Sequence, residues 1–460
     1  METFDLIVIG SGPGGYVAAI RAAQLGFKTA CIEKRKELGG TCLNVGCIPS
    51  KSLLQSSENY WNALHHSKEH GIDIANVGLN FAQMMLRKQK VVTGFNEGIA
   101  GLFKKNQITR YTGTAKFLSP NTVQVDTTEL TAKNILIATG SEPISLPFLP
   151  FDEKKILSST GALSLEKIPK KMVVIGAGVI GVELGSVYQR LGSEVVFIEF
   201  LDRICPTLDE SISKNLQQLL TAQGMTFHLS SKVTNANISD TVTLQVSSAD
   251  KGESQITGDV VLVCIGRRPY TQGLQLEKAG ITLTPKGLIP VSGTFRTTTP
   301  HIYAIGDVID GPMLAHKASE EGVAAVEIIA GQSPSIEYMA IPNVVYTEPE
   351  VAAVGLTEPE AKAFGLKIKT GVFSFKANSR ARCSGSDDGF VKIISDEATD
   401  RLLGIHILGP HASELIAQSA LAIQKKMTTL DLIHTPFAHP TLAEAIKEAA
   451  LAVYKRPIHR

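Results

Sequence analysis

Phe4 to Gly15 reads FDLIVIGSGPGG, and Lys171 to Gly181 reads KMVVIGAGVIG. Each is a short β-branched run followed by G-x-G-x-x-G, with glycines at 10, 12 and 15 in one copy and 176, 178 and 181 in the other. Each leads through a helix-like stretch to a second apolar strand ending in an acid, Glu33 in CIEK and Glu199 in VFIEF. The spacing from first glycine to acid is 23 positions in both, so the whole unit recurs at an offset of 166. One such loop is weak evidence, but two in the same strand–loop–helix setting are strong. Glycines permit the tight turn and let a pyrophosphate approach the backbone. The helix N-terminus supplies N–H groups and partial positive charge, and the acid accepts hydrogen bonds from ribose hydroxyls. Two glycine-rich turns that bind nothing leave those matched positions unexplained.

A third element repeats. ILIATG at 135–140 and VVLVCIG at 260–266 read as the strands closing each nucleotide fold. The first unit is longer, with 107 positions from Glu33 to Gly140 against 67 from Glu199 to Gly266. Punctuation divides the rest. Pro143, Pro147 and Pro150 follow the first unit, Arg267-Arg268-Pro269 ends the second, and Ile341-Pro342 opens a compositionally new region. Four domains are expected, at 1–142, 143–270, 271–341 and 342–460. In the last, 390–395 reads as a strand and 413–426 as a helix.

The 460 residues are 43% hydrophobic and 19% charged, with 45 basic and 44 acidic side chains. A net charge of +1 gives no field to draw in nucleic acid or an anionic membrane, so neither is expected as a partner. The longest nearly apolar stretch, 172–182, is short of the about 18 residues that span a bilayer. The N-terminus lacks a basic segment and a cleavage pattern, and it begins with Met. A soluble, cytoplasmic protein is the expectation.

Of six cysteines, only Cys42 and Cys47 are close, in GGTCLNVGCIPSK at 39–51. Zinc needs further Cys or His ligands, and none stands nearby. Two inert thiols or a static disulfide remain as alternatives to a redox pair. Redox chemistry is favoured because so small a ring gains little from loop closure and reopens easily. A helix starting near Pro49 lowers a nearby thiol pKa. The pair also lies inside a dinucleotide unit. On a regular helix, positions five apart sit about 140° apart, so the first turn must distort, and Gly46 makes that feasible. Cys31, Cys205, Cys264 and Cys383 read as core packing.

PFAHPTLAE at 436–444 places His439 five residues before Glu444. An isolated His-Pro reads as a surface histidine beside an unrelated acid. In the functional alternative Glu444 orients His439, which takes the proton of a thiol.

GGTCLNVGCIPSK, HPTLAE, the two glycine loops and HIYAIGDV at 301–308 together resemble the pyridine nucleotide–disulfide oxidoreductases, through essentially the whole chain. The resemblance implies an α/β fold: two Rossmann-like domains for FAD and NAD, a central domain and a C-terminal α+β dimerisation domain. It implies FAD contacts from Gly10, Gly12, Gly15, Glu33, Lys51, Ala115, Asp307 and Ala315, with Glu183 as partner of Lys51. It implies NAD contacts from Gly176, Gly178, Gly181, Glu199, Val233 and Gly266. Cys42 becomes the thiol that exchanges with substrate and Cys47 the thiol facing the flavin. His439, with Glu444, serves the active site of the other copy in a homodimer, and His439-Pro440 is expected to be cis. The lipoamide-oxidising branch fits best. Its substrate, dihydrolipoamide, is carried on a lipoyl-bearing acyltransferase or carrier protein, which is expected to be another chain because the FAD loop begins at once. The alternative is an NADPH-dependent disulfide reductase of the glutathione reductase type. Glu199, followed by Phe200 and Leu201, argues against it, because a carboxylate repels a 2′-phosphate.

Overall fold

A computed structural model describes residues 2–248 and 252–459. The two repeated segments fold as two separate parallel sheets of the same design. In the first, Glu2–Ile9 lies between Thr29–Glu33 and Thr128–Ile137, all parallel. Leu6 to Ile9 are buried without alternation, as expected of a strand covered on both faces. Thr109–Thr112 extends one edge, and an antiparallel pair, Ala115–Ser119 and Thr122–Val125, extends the other.

In the second sheet Lys171–Ile175 lies between Glu194–Ile198 and Val260–Val263, with Thr226–His228 and Ile156–Leu157 outside them, again all parallel. A three-stranded antiparallel meander, Ser231–Ile238, Val242–Ser248 and Gly252–Gly258, precedes the closing strand. The C-terminal region is a five-stranded antiparallel sheet in the order Asn343–Val345, Glu350–Gly355, Leu402–Gly409, Phe390–Asp396, Ile368–Ser374. Helices Ala412–Gln424 and Glu444–Val453 pack on it.

The chain divides into two compact units. One comprises Met1–Ser52, Ala82–Ile144 and Gly266–Ile336; the other comprises Leu53–Phe81, Ser145–Ile265 and Glu337–Arg460. The segment expected as a separate central domain, 271–341, therefore differs from its reading. Ile302–Ala304 pairs in parallel with Thr128–Ile137 and completes the first sheet. The Ala315–Ile329 helix packs on Pro13–Gln24 so closely that a Cβ on Gly322 would lie 2.6 Å from the Gly14 carbonyl. Arg21 and Glu327 pair across the same contact at 2.6 Å. Where the chain leaves the first unit and returns, Ser141–Pro143 and Arg267–Pro269 form a short antiparallel ribbon. Among the described residues, no helix is long and apolar enough to cross a membrane.

Candidate active site

The two glycine loops have the same steric construction. At the first glycine, φ is +101° at Gly10 and +96° at Gly176, and an added Cβ would lie 2.4 Å from a carbonyl oxygen, of Ala138 or Cys264. At the third, a Cβ on Gly15 would lie 1.9 Å from the Gly10 oxygen, and one on Gly181 would lie 2.3 Å from the Gly176 oxygen. The second glycine differs, because a Cβ on Gly12 or Gly178 meets nothing within 4 Å. The crowded glycines therefore bind strand to helix, while the open one presents bare backbone outward. It is also the N-cap of its helix, Pro13–Gln24 or Val179–Arg190. Neither helix has a capping side chain or an acid in its first turn. Unclaimed N–H groups with no competing carboxylate suit a pyrophosphate.

The acids repeat as well. Glu33 Oε2 accepts the Ser11 N–H at 2.9 Å, and Oε1 accepts the Arg35 N–H at 2.9 Å. Glu199 Oε2 accepts the Ala177 N–H at 2.6 Å, and Oε1 accepts the Leu201 N–H at 2.8 Å. Each acid thus braces its own glycine loop and retains lone pairs for a ribose. Both donor sets fit a dinucleotide. The bracing role was not read from sequence, since nothing local links residues 22 apart.

The thiol segment is built onto the first loop. Gly39 N–H donates to the Ser11 carbonyl at 3.0 Å, and Ser11 Oγ donates to Glu33 at 2.6 Å. A Cβ on Gly40 would lie 2.6 Å from the Gly12 Cα. Cys42 lies in the Gly40–Val45 helix, and Cys47 opens the Cys47–His65 helix. Gly46 separates them at φ −146°, ψ −116°, so helical geometry breaks where the spacing required it to. Cys47 hydrogen-bonds to the Cys42 sulfur through both its backbone N–H and its side chain, and the Lys51 charge acts on the same sulfur. No disulfide joins the two sulfurs here.

The expected lowering of thiol pKa is corrected for Cys42. Its hydrogen bond with the Cys47 side chain, then burial, push it far up, and outweigh the Cys47 N–H and Lys51. Two of the remaining cysteines, Cys31 and Cys205, are buried as expected, and Cys264 is half-buried. Cys383 is exposed at the end of the Ser379–Cys383 helix, which corrects its reading as a core residue.

Asp307 Oδ2 accepts from Ser141 Oγ at 2.5 Å, and Ser141 Oγ accepts from Arg267 Nε at 2.8 Å. Ser141 was not singled out in the sequence, and Arg267 entered there only as a domain boundary. Ala315 is the first residue of its helix, and Ala115 is buried at the start of its strand. Val233 is buried in the meander, and Gly266 has φ +120°. Glu183 is buried on the Val179–Arg190 helix and accepts the Tyr346 N–H at 3.0 Å.

In the C-terminal region, His439 Nδ1 lies 3.0 Å from Glu444 Oε1, and the His439-Pro440 bond is cis. Burial pushes the Glu444 carboxyl up, but the Thr441 N–H and the bond to His439 outweigh it and hold the group below its usual range. The imidazole is largely exposed. Among the described residues, no cluster of His, Cys, Asp and Glu could hold a metal ion.

Two nucleotide loops, one carrying a vicinal thiol pair, define a flavin- and nicotinamide-linked disulfide oxidoreductase. Residues 4–322 match the family model for pyridine nucleotide-disulphide oxidoreductases, and 341–450 match that family's dimerisation domain; the chain belongs to this family. It is 53% identical to a mitochondrial dihydrolipoyl dehydrogenase of pea (Pisum sativum), over 99% of this chain and 92% of that one. It is 52% identical to the rat mitochondrial dihydrolipoyl dehydrogenase, with the same coverage. It is also 52% identical to a leghemoglobin reductase of soybean (Glycine max), over 98% of this chain and 88% of that one. An HOCl-induced flavoprotein disulfide reductase of Escherichia coli, solved as its Cu(II) complex, superposes with a TM-score of 0.87 at 26% identity, covering 98% of this chain and 99% of that one. The chain is an oxidoreductase that uses FAD and NAD(H), and its dimerisation domain makes it a homodimer-forming type. The expectation of a cytoplasmic location is overturned: the pea, Arabidopsis thaliana and rat relatives are mitochondrial proteins. Composition could not have shown this, because it reports solubility and not address.

Proposed function

We propose that this chain oxidises dihydrolipoamide borne on a lipoyl-carrying acyltransferase or carrier protein of a 2-oxo acid dehydrogenase or glycine cleavage complex, with NAD⁺ as acceptor. One observation carries the reading: the Cys42–Cys47 segment is anchored on the first dinucleotide loop, through Gly39 to Ser11 and Gly40 against Gly12, whereas the matching anchor on the second loop, from the Cys205 N–H to the Ala177 carbonyl, carries no cysteine pair among the described residues.

In the oxidised enzyme Cys42 and Cys47 form the disulfide. One substrate thiol loses its proton to His439 of the partner subunit and attacks the Cys42 sulfur. The Cys42–Cys47 bond breaks, and Cys47 leaves as thiolate. The second substrate thiol then attacks the first substrate sulfur. That closes the lipoamide disulfide and releases Cys42, which takes up a proton. Substrate is oxidised by two electrons, and the cysteine pair holds them. Glu444 keeps the imidazole oriented throughout. FAD, when bound, would supply a two-electron acceptor for that pair, with NAD⁺ as the final acceptor.

In this reading Gly10, Gly12, Gly15, Glu33, Lys51, Ala115, Asp307 and Ala315 hold FAD, with Glu183 as partner to Lys51. Gly176, Gly178, Gly181, Glu199, Val233 and Gly266 hold NAD. The test is the FAD-loaded dimer with dihydrolipoamide and either NAD⁺ or NADP⁺. NADH formation with strong preference for NAD⁺ is expected. No turnover of dihydrolipoamide, or preference for NADP⁺, contradicts it. The soybean relative gives a second reading, reduction of a haemoglobin, tested by adding that protein with NADH.

A further inference from the structure

Lys317 and Glu321 pair within the first unit at 3.0 Å, with side chains 1% and 0% exposed. Nothing local favours the arrangement. Lys317 stands in the first turn of the Ala315–Ile329 helix, where the macrodipole disfavours a cation. Lys ahead of Glu at i,i+4 is the weaker order. A well-packed apolar pair serves stability as well as a buried ion pair does. A local rule broken at such a cost marks a functional constraint.

The pair holds Gly306 at both of its polar groups. Glu321 Oε2 accepts the Gly306 N–H at 2.8 Å, and Lys317 Nζ donates to the Gly306 carbonyl at 3.4 Å. The Lys317 stem continues to Gly311, where a Cβ would come within 2.9 Å of Cε. Gly306 has φ +75° and directly precedes Asp307. Asp307 is fixed on its other side by Ser141, itself held by Arg267 at 2.8 Å.

We propose that Lys317 and Glu321 are positioning residues for the flavin: they grip both polar ends of Gly306 and so hold Asp307 in place for the ribityl chain. The inference rests on the reading of Asp307 as an FAD contact, and the experiment separates the two. FAD is stripped from the wild type, from Lys317→Met/Glu321→Leu, from Lys317→Met/Glu321→Gln and from Asp307→Ala. FAD dissociation constants are then measured by fluorescence titration, and apoprotein melting by circular dichroism.

The leucine variant is expected to melt as the wild-type apoprotein does while its FAD Kd rises at least tenfold. The glutamine variant keeps an acceptor for the Gly306 N–H, so it recovers part of that loss. Adding Asp307→Ala to the leucine variant gives little further loss, because the two act through one contact. If Asp307→Ala weakens FAD and the leucine variant does not, the inference fails and the reading of Asp307 stands. If Asp307→Ala changes nothing, that reading fails and takes the inference with it. Should the leucine variant not fold, the glutamine variant decides, and a Kd within twofold of wild type overturns the proposal.

Discussion

Glu444 divides its carboxylate between His439, at 3.0 Å from Nδ1, and the Thr441 N–H at 2.8 Å. One oxygen is anchored to the backbone that follows the cis bond, and the other aims the imidazole. Glu444→Gln keeps the size but removes the charge that stabilises an imidazolium. Orienting and acid–base effects of this kind are worth about 10²–10⁴-fold in rate. We expect kcat/KM for dihydrolipoamide to fall about 10–100-fold, with melting temperature changed little. A variant within twofold of wild type removes Glu444 from the mechanism.

Gly46 makes the thiol pair possible by close approach. An added Cβ would lie 2.9 Å from the Thr41 oxygen and 3.2 Å from the Cys42 Cα. Gly46→Ala must push the Gly40–Val45 and Cys47–His65 helices apart. The expected result is slower closure of the Cys42–Cys47 disulfide, followed by thiol counting during reoxidation, and a kcat lowered about tenfold. Unchanged reoxidation would show that the break is set elsewhere.

Glu199 tests the choice of nucleotide. It braces Ala177 and Leu201, and in the proposed reading it puts negative charge where a 2′-phosphate would lie. Glu199→Ala should lower kcat/KM for NAD⁺ about tenfold or more and narrow the NAD⁺ to NADP⁺ ratio. If that ratio is unaltered, selection resides in other residues.

Acid stability depends on a buried network around Asp209. Lys392 Nζ lies 2.9 Å from Asp209 Oδ1 and 2.7 Å from Glu358 Oε2, and Asp209 also caps the Glu210–Ala222 helix. Burial pushes the Asp209 carboxyl up, but Ser211, Lys392 and the Glu358 N–H pull it down from 3.8 to about 2. A group depressed on folding stabilises fully above its unfolded pKa, and that stability is lost as pH falls through the folded value. Denaturant melts of wild type and Asp209→Asn should therefore differ most above about pH 4 and converge toward about pH 2. The difference at neutral pH is on the order of 2 kcal/mol. A constant difference across that window would contradict the network's role.

The dinucleotide loops were legible because sterics leave no choice at their glycines: a Cβ added at Gly10 or Gly176 would lie 2.4 Å from a carbonyl oxygen, so each glycine is written into the sequence at a matched offset. The Cys42–Cys47 break was legible for the same reason, through Gly46. The place of 271–341 was not, because the strand joining it to the first sheet, Ile302–Ala304, is three residues long and carries no periodicity. Lys317 and Glu321 look like an ordinary solvated i,i+4 pair until tertiary packing buries them. The direction of the Cys42 shift also escaped, since it comes from the Cys47 side chain and from burial rather than from the helix start.

The most direct test is stopped-flow mixing of the FAD-loaded Cys47→Ser dimer with dihydrolipoamide and NAD⁺. The variant should retain its flavin, show no flavin reduction by substrate and form no NADH. Turnover at the wild-type rate would mean that electrons reach NAD⁺ without this sulfur.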